Sequence, residues 1–254
     1  MGDLLAPFHS ILFNRTDGAS ALFEQFIQIA RHQTRDVVVA GLQACQDAFP
    51  LMAVWSYALV QVTQHGHELE QTAAEMAQQT VGTFGQGARI IEHYHTILTL
   101  SNSSLVRRAV LSVSGPIQVL CALSLPGEEG RELAAALNKA GIQATLVADD
   151  QLSQRLSEIE AIVLGADQYD NQGFVNKIGS GSLARLAEQS GMPVWVLAEE
   201  FKRVPQLPEL TPESAALELE FDGQVSRHTV FERVSWQPHI KLITNASEEA
   251  FRLL

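Results

Sequence analysis

From about residue 5 to residue 95 the apolar residues recur at helical spacing, as in Ala21-Leu-Phe23, Phe26-Ile27 and Ile29-Ala30, then Val37-Val-Val39 and Leu42. Further helical stretches cover 51–62 and 68–81. Steps of three and four residues place apolar side chains on one face of a helix. Few strand signals interrupt them, so residues 1–95 are expected to form a helical, bundle-like domain. After Asn102 the rhythm changes to short apolar runs separated by helical segments. Strands are expected at 117–123, 144–148, 161–167 and 193–198, with helices at 128–140, at 152–156 and from Ser182 onward. Strands alternating with helices specify a parallel sheet covered on both faces. The fold class is therefore α/β: a helical N-terminal domain followed, over 96–254, by a Rossmann-like, doubly wound, mainly parallel sheet. The stretch 205–213 carries three prolines and reads as a loop. The tail 231–243 is expected to add a last element to the sheet, and 248–254 to end the chain in a helix.

The segment Ala161-Ile-Val-Leu-Gly-Ala-Asp167 has the run of a buried parallel strand, whose C-terminal end delivers Asp167 to the edge where open α/β sheets bind ligands. Within ten residues come Asn176 and Lys177, an amide and an ammonium, and then Gly179-Ser-Gly-Ser182 opening a helix. Free N–H groups at a helix start favour an anion, phosphate above all. The bland alternative is a surface ion pair of Asp167 with Lys177 beside an ordinary turn. The concentration of acid, amide, ammonium and glycine-rich helix start favours a ligand site.

Composition narrows the function classes. A formal net charge of −12 opposes a general nucleic-acid or anionic-membrane surface, so neither partner is expected. Cys45 and Cys121 lie in helical and strand cores without ligand-spaced partners, and are expected to be reduced and buried. No run reaches membrane-span length, and the start Met1-Gly-Asp-Leu-Leu-Ala-Pro lacks the basic and long apolar regions of a secretory signal. A cytoplasmic location is expected, and Ala6 stands where a myristoylation signal would carry Ser or Thr. His93 with His95, and His65 with His67, are spaced i, i+2, which on a helix does not face one ligand, so no metal site is expected. No G-x-G-x-x-G dinucleotide fingerprint or G-x-S-x-G nucleophile elbow occurs, and no cofactor is expected.

The succession Ile97-Leu-Thr-Leu-Ser-Asn-Ser103, Gly165-Ala-Asp167, Asn176-Lys-Ile-Gly179 and Ala198-Glu-Glu-Phe-Lys202, with Gly18-Ala19 and the tail Phe231-Glu-Arg-Val234 and Leu242-Ile-Thr244, resembles the initiation factor 2B regulatory subunit family. That family includes the alpha, beta and delta subunits of the eukaryotic exchange factor, methylthioribose-1-phosphate isomerase and ribose-1,5-bisphosphate isomerase. By this resemblance the isomerase proton donor falls on Asp167, the substrate-binding pair on Asn176 and Lys177, and the substrate-contacting lysine of the later strand on Lys202. Gly18, Ala19, Asn102 and Ser103 complete the implied binding set. The family's fold implies a homodimer.

The departures bear on activity. Where the isomerases carry Thr-His-Cys-Asn, this chain has Thr99-Leu-Ser-Asn102, so Ser101 replaces the catalytic cysteine. An unassisted hydroxyl stays protonated near neutral pH and accepts a proton poorly. The family's Glu-Thr-Arg-Pro becomes Leu123-Ser-Leu-Pro126, a substrate-contacting glutamine becomes Glu129, and an arginine before proline aligns with Phe49. The expectation is a non-catalytic or regulatory binder of a phosphorylated sugar or nucleotide, related to translation initiation factors, with a sugar-phosphate aldose–ketose isomerase as the alternative. Read without the family, Lys202 is a solvated strand-end lysine and Ser101 a cap for the helix beginning near Ser103.

Overall fold

The computed structural model describes residues 4–14, 18–212, 215–221 and 223–246. The N-terminal helical pattern resolves into α1 (His9–Leu12), α2 (Ala19–Ala30), α3 (Arg35–Ala48), α4 (Ala53–Thr63) and α5 (Leu69–Ile91). Their apolar stripes meet in a core holding Phe8, Leu22, Phe26, Leu42, Cys45 and Trp55, with Phe8 stacked on Phe26 at 4.4 Å between ring centroids. Burial raises the Cys45 thiol pKa to about 12, which keeps it a neutral small hydrophobe. Phe49, expected to stand in place of a substrate-contacting arginine, is buried against Trp55 and is a core residue. The helix expected at 68–81 runs ten residues further, because its buried stripe continues through Thr83, Gly87, Ile90 and Ile91. Its first half packs in the helical core through Leu69 and Met76, and its last turn in the sheet core through Ile90 and Ile91.

The second half contains β1 (Thr96–Thr99), α6 (Ser104–Leu111), β2 (Gln118–Ala122), α7 (Glu129–Lys139), β3 (Gln143–Val147), a 3-10 stretch (Asp149–Glu158), β4 (Ala161–Gly165), β5 (Gln168–Tyr169), β6 (Gly173–Lys177), α8 (Ser180–Ser190), β7 (Val194–Leu197), β8 (Ala216–Phe221), β9 (Gln224–Thr229), β10 (Phe231–Ser235) and β11 (Ile240–Ile243). The main sheet has the order β11-β7-β4-β1-β2-β3 and is parallel throughout. Every residue of β4 and β7 is buried, as strands covered on both faces must be. One face packs on α5, α6 and α7 through Leu105, Val106, Leu133 and Leu137, and the other on α8 through Leu183, Ala184 and Ala187. This α/β architecture matches the doubly wound expectation.

The chain builds outward from β1 to β3, returns to the other side of β1 with β4, and then builds the opposite way. The reversal between β1 and β4 is a topological switch point, and open α/β sheets bind ligands in the crevice outside the C-terminal ends of the strands at such a point. β1, the centre of the topology, lies within a family motif but carries no strand prediction above. Its four residues are too short a run for a period to stand out.

The tail divides. β10 pairs antiparallel with β6 in a small sheet of order β10-β6-β5, while β11 joins the main sheet beside β7. Asn176 and Lys177 therefore lie on a strand. β8 and β9 form a separate hairpin where no strands were expected. The helix expected at 248–254 lies outside the described residues. No helix among the described residues is long and apolar enough to cross a membrane.

Candidate functional site

The C-terminal edge of the sheet is built from short, constrained turns. Ser101 after β1 (φ 65°), Ser124 after β2 (φ 70°) and Glu128 before α7 (φ 57°) all hold left-handed backbone without being glycine. Such conformations carry strain and persist where surrounding bonds impose them, commonly at functional edges. Here Ser101 N donates to Ser124 Oγ at 2.7 Å, Ser124 Oγ donates to the Ala122 carbonyl, and Asp149 accepts from Ser124 N and Leu125 N. The ends of β1, β2 and β3 are thereby cross-linked. Ser101 does not cap α6: Ser103 does, accepting from Val106 N. A left-handed residue two positions earlier cannot reach that N–H, which corrects the capping expectation.

Gly165 ends β4 directly opposite this turn. A Cβ there would sit 2.6 Å from Ser103 Oγ, so glycine is what lets β4 close on the start of α6. The start of α2 reaches the same place, with Ser20 Oγ 3.2 Å from Ser104 Oγ, and Gly18 and Ala19 are the N-cap and first residue of that helix. Two helix N-termini, each with a partial positive charge, meet at the end of β1.

Asp167 lies just beyond β4 and is partly buried. Desolvation raises its pKa to about 6, with Lys202 opposing and Glu199 adding to the rise. Lys202 sits on a 3-10 turn (Glu200–Lys202) rather than on a strand, and its ammonium lies 3.1 Å from Glu199 Oε2 with only 15% of its side chain exposed. It is not a solvated lysine. Glu199, 3% exposed, also accepts from Thr80 Oγ1 of α5. An acid poised near neutrality, a buried carboxylate and an ammonium thus form one cluster.

The other expected residues are brought to the same edge but have separate partners. Lys177, 5% exposed, is paired with Glu129 Oε1 of α7 at 2.7 Å, not with Asp167. Asn176 donates to Ser180 Oγ, which donates to the Lys177 carbonyl. Asn102 donates to Glu132 of α7 and leaves its buried Oδ1 without a partner. The helix start expected to take a phosphate is already engaged: Gly179 N and Gly181 N both donate to Glu232 Oε1. That carboxylate comes from β10, opposite Asn176 in the register, and an internal anion takes the place assigned above to a ligand.

Residues 27–220 match the family model described as the initiation factor 2 subunit family. The chain belongs to that family. Among its curated relatives, ribose 1,5-bisphosphate isomerase of Methanocaldococcus jannaschii is 31% identical over 167 residues, covering 61% of this chain and 54% of that protein. Methylthioribose-1-phosphate isomerase of Thermotoga neapolitana is 33% identical over 152 residues, covering 52% and 44%. This initiation factor 2 subunit family member thus spans about half the length of the curated relatives it matches. Among solved structures, translation initiation factor eIF-2B of Pyrococcus horikoshii superimposes with a TM-score of 0.82 at 22% identity over 96% of each chain, a likeness of fold.

Within this family member, Glu199, Glu232 and Ser124 fall inside the motifs named above but carry no predicted role, and Asp149 and Asp170 fall outside them. Asp170 is buried and accepts from Gln172 N, Gly173 N and Leu207 N, which seats the β5–β6 turn against the loop after Lys202. Apart from Lys202, three residues after Glu199, the partners of these residues are distant in sequence or are backbone groups, so no motif spacing marks them. Among the described residues no group of His, Cys, Asp and Glu is arranged to hold a metal ion.

Proposed function

We propose that the crevice at the ends of β1 and β4 binds a phosphorylated sugar, with its phosphate at the joined starts of α2 and α6 and its sugar toward Asp167 and Lys202, and that the chain does so without efficient isomerase turnover. The observation that carries the reading is the Ser20–Ser104 contact, which brings two helix N-termini to one point beside an uncommitted Asn102 carbonyl. The turnover part rests on Ser101. It stands where the sequence resemblance puts the isomerases' thiol, and an unassisted hydroxyl stays protonated at neutral pH. The experiment is a thermal-stability screen of the purified protein against sugar phosphates and nucleoside monophosphates, since a ligand that binds the native state alone raises stability. No stabilisation by any phosphorylated compound would overturn the binding reading.

A second reading, an aldose–ketose isomerase acting on a sugar 1-phosphate, is favoured by Asp167. An acid with a pKa of about 6 holds and releases a proton near physiological pH. The relatives named as sugar-phosphate isomerases support the same reading. Turnover of methylthioribose 1-phosphate or ribose 1,5-bisphosphate by the wild type, lost in Asp167→Asn, would establish it.

A further inference from the structure

The N-cap and first turn of α7 carry three carboxylates, and each has a partner: Glu128 with Arg131, Glu132 with Asn102, and Glu129 with Lys177. The last pair differs from the others in burial and in what it leaves open. Lys177 is nearly sealed, and one Glu129 oxygen is spent on it at 2.7 Å. The other, Oε2, is buried and has no hydrogen-bond partner. The carboxylate occupies the bare face of Gly127, where a Cβ would come within 2.4 Å of Glu129 Oε1. A buried acceptor without a donor is costly, and a ligand that supplies the donor recovers that cost.

The charge arithmetic decides which ligand group belongs here. A free lysine beside a binding crevice would attract an anion, but Lys177 is neutralised by Glu129 and Glu128 by Arg131, and Glu132, whose partner Asn102 is neutral, leaves the start of α7 net negative. An approaching phosphate would meet an acceptor that has nothing to donate. A hydroxyl supplies the missing hydrogen and adds no charge.

Resting on the sugar-phosphate reading above, we infer that the Lys177–Glu129 pair reads a neutral sugar hydroxyl at Glu129 Oε2 and rejects a second phosphate. The ligand class is then a sugar carrying one phosphate, and Glu129 is its specificity-determining residue. Glutamine at 129 keeps the contact to Lys177 but removes the charge, which frees the ammonium to meet an anion.

The test measures the affinities of ribose 5-phosphate and ribose 1,5-bisphosphate for the wild type, Glu129→Gln and Gly127→Ala, the last because a methyl group there displaces the carboxylate without changing its charge. The wild type is expected to favour the monophosphate, and Glu129→Gln to move the preference toward the bisphosphate by about tenfold or more, the scale of one charged hydrogen bond in a pocket. Gly127→Ala is expected to weaken the monophosphate. If Glu129→Gln changes both affinities by the same factor, the inference falls while the sugar-phosphate reading stands. If neither compound nor any other phosphorylated sugar binds any of the three folded proteins, both fall together.

Discussion

Gly179 donates its backbone N–H to the Glu232 carboxylate at 2.7 Å, across 53 residues of sequence. The same oxygen accepts from Gly181 N at 2.9 Å, and the carboxylate packs closely there, since a Cβ at Gly181 would lie 3.0 Å from Glu232 Oε2. A charged acceptor at a helix N-terminus satisfies orphan donors and meets the positive end of the dipole. This contact ties α8 to β10 and fixes the turn that follows Asn176 and Lys177. Glu232→Ala is therefore expected to destabilise the protein by roughly 2 kcal/mol, the scale of hydrogen bonds to a charged group, with Glu232→Gln recovering part of it. Urea denaturation of both variants measures this, and an unchanged midpoint in the alanine variant would show that the contact contributes nothing.

Asp167 makes stability depend on pH with a sign opposite to that of an ordinary paired carboxylate. Burial raises its pKa to about 6 in the folded chain, above the unfolded value. The native state therefore holds the proton more tightly. The associated stability is fully present below about pH 4 and is lost as pH rises through about 6. Replacing the acid with neutral Asn removes this loss. Asp167→Asn is expected to gain stability over the wild type by on the order of 1–2 kcal/mol between pH 4 and pH 7, read from denaturant midpoints across that range. A difference between the two proteins that stays constant with pH would contradict the raised pKa.

Asp170 has the ordinary sign. Burial pushes its pKa up, but the N–H groups of Leu207, Gln172 and Gly173, with Arg233 nearby, more than offset this and hold it below the usual carboxylate value. Its contribution is present above the unfolded pKa and is lost as pH falls through the lower folded value. Asp170→Ala strands three backbone donors and is expected to cost about 3 kcal/mol or more. The measurement is equilibrium unfolding at neutral pH, where a cost below about 1 kcal/mol would mean that water replaces the carboxylate.

Gly130, in the first turn of α7, is required by close approach. A Cβ at this position would fall 1.7 Å from the Ala122 carbonyl oxygen, a backbone atom that cannot swing aside. Gly130→Ala is expected to cost about 3 kcal/mol or to prevent folding, because relief demands shifting α7 away from β2. Soluble, wild-type-like thermal unfolding of this variant would show that α7 moves freely, and would weaken the assignment of Glu129 to a fixed position.

The turnover prediction concerns Ser101. Purified wild type is expected to isomerise methylthioribose 1-phosphate and ribose 1,5-bisphosphate near background, since general acid–base assistance contributes about 10²–10⁴ in rate and its acceptor is absent. Coupled assays with Ser101→Cys alongside measure this. Robust wild-type turnover would favour the isomerase reading.

The alternation of apolar runs and helical segments after Asn102 was enough to specify a doubly wound sheet, because a strand covered on both faces must be apolar at every position and its period is local. Residues 161–165 announce β4 in this way, and the motif around Asn176 and Lys177 marks the edge where the side chains gather. Local pattern could not say that β1 lies at the centre of the sheet, that 231–243 serves two sheets, or that 216–229 forms a hairpin, because pairing joins residues far apart in sequence. The same limit governs the site. Asp167, Asn176 and Lys177 could be named from their neighbours in the chain, but their charge states depend on partners that only the tertiary structure supplies. Glu129 pairs with Lys177 from 48 residues away, Glu232 fills the helix start that looked free for a ligand, and Glu199 joins Lys202 beside Asp167. Sequence determined which chemical groups are present at the edge. Folding decided which of them neutralise one another and which remain open to a ligand, because electrostatic and hydrogen-bond partners are set by distance in space.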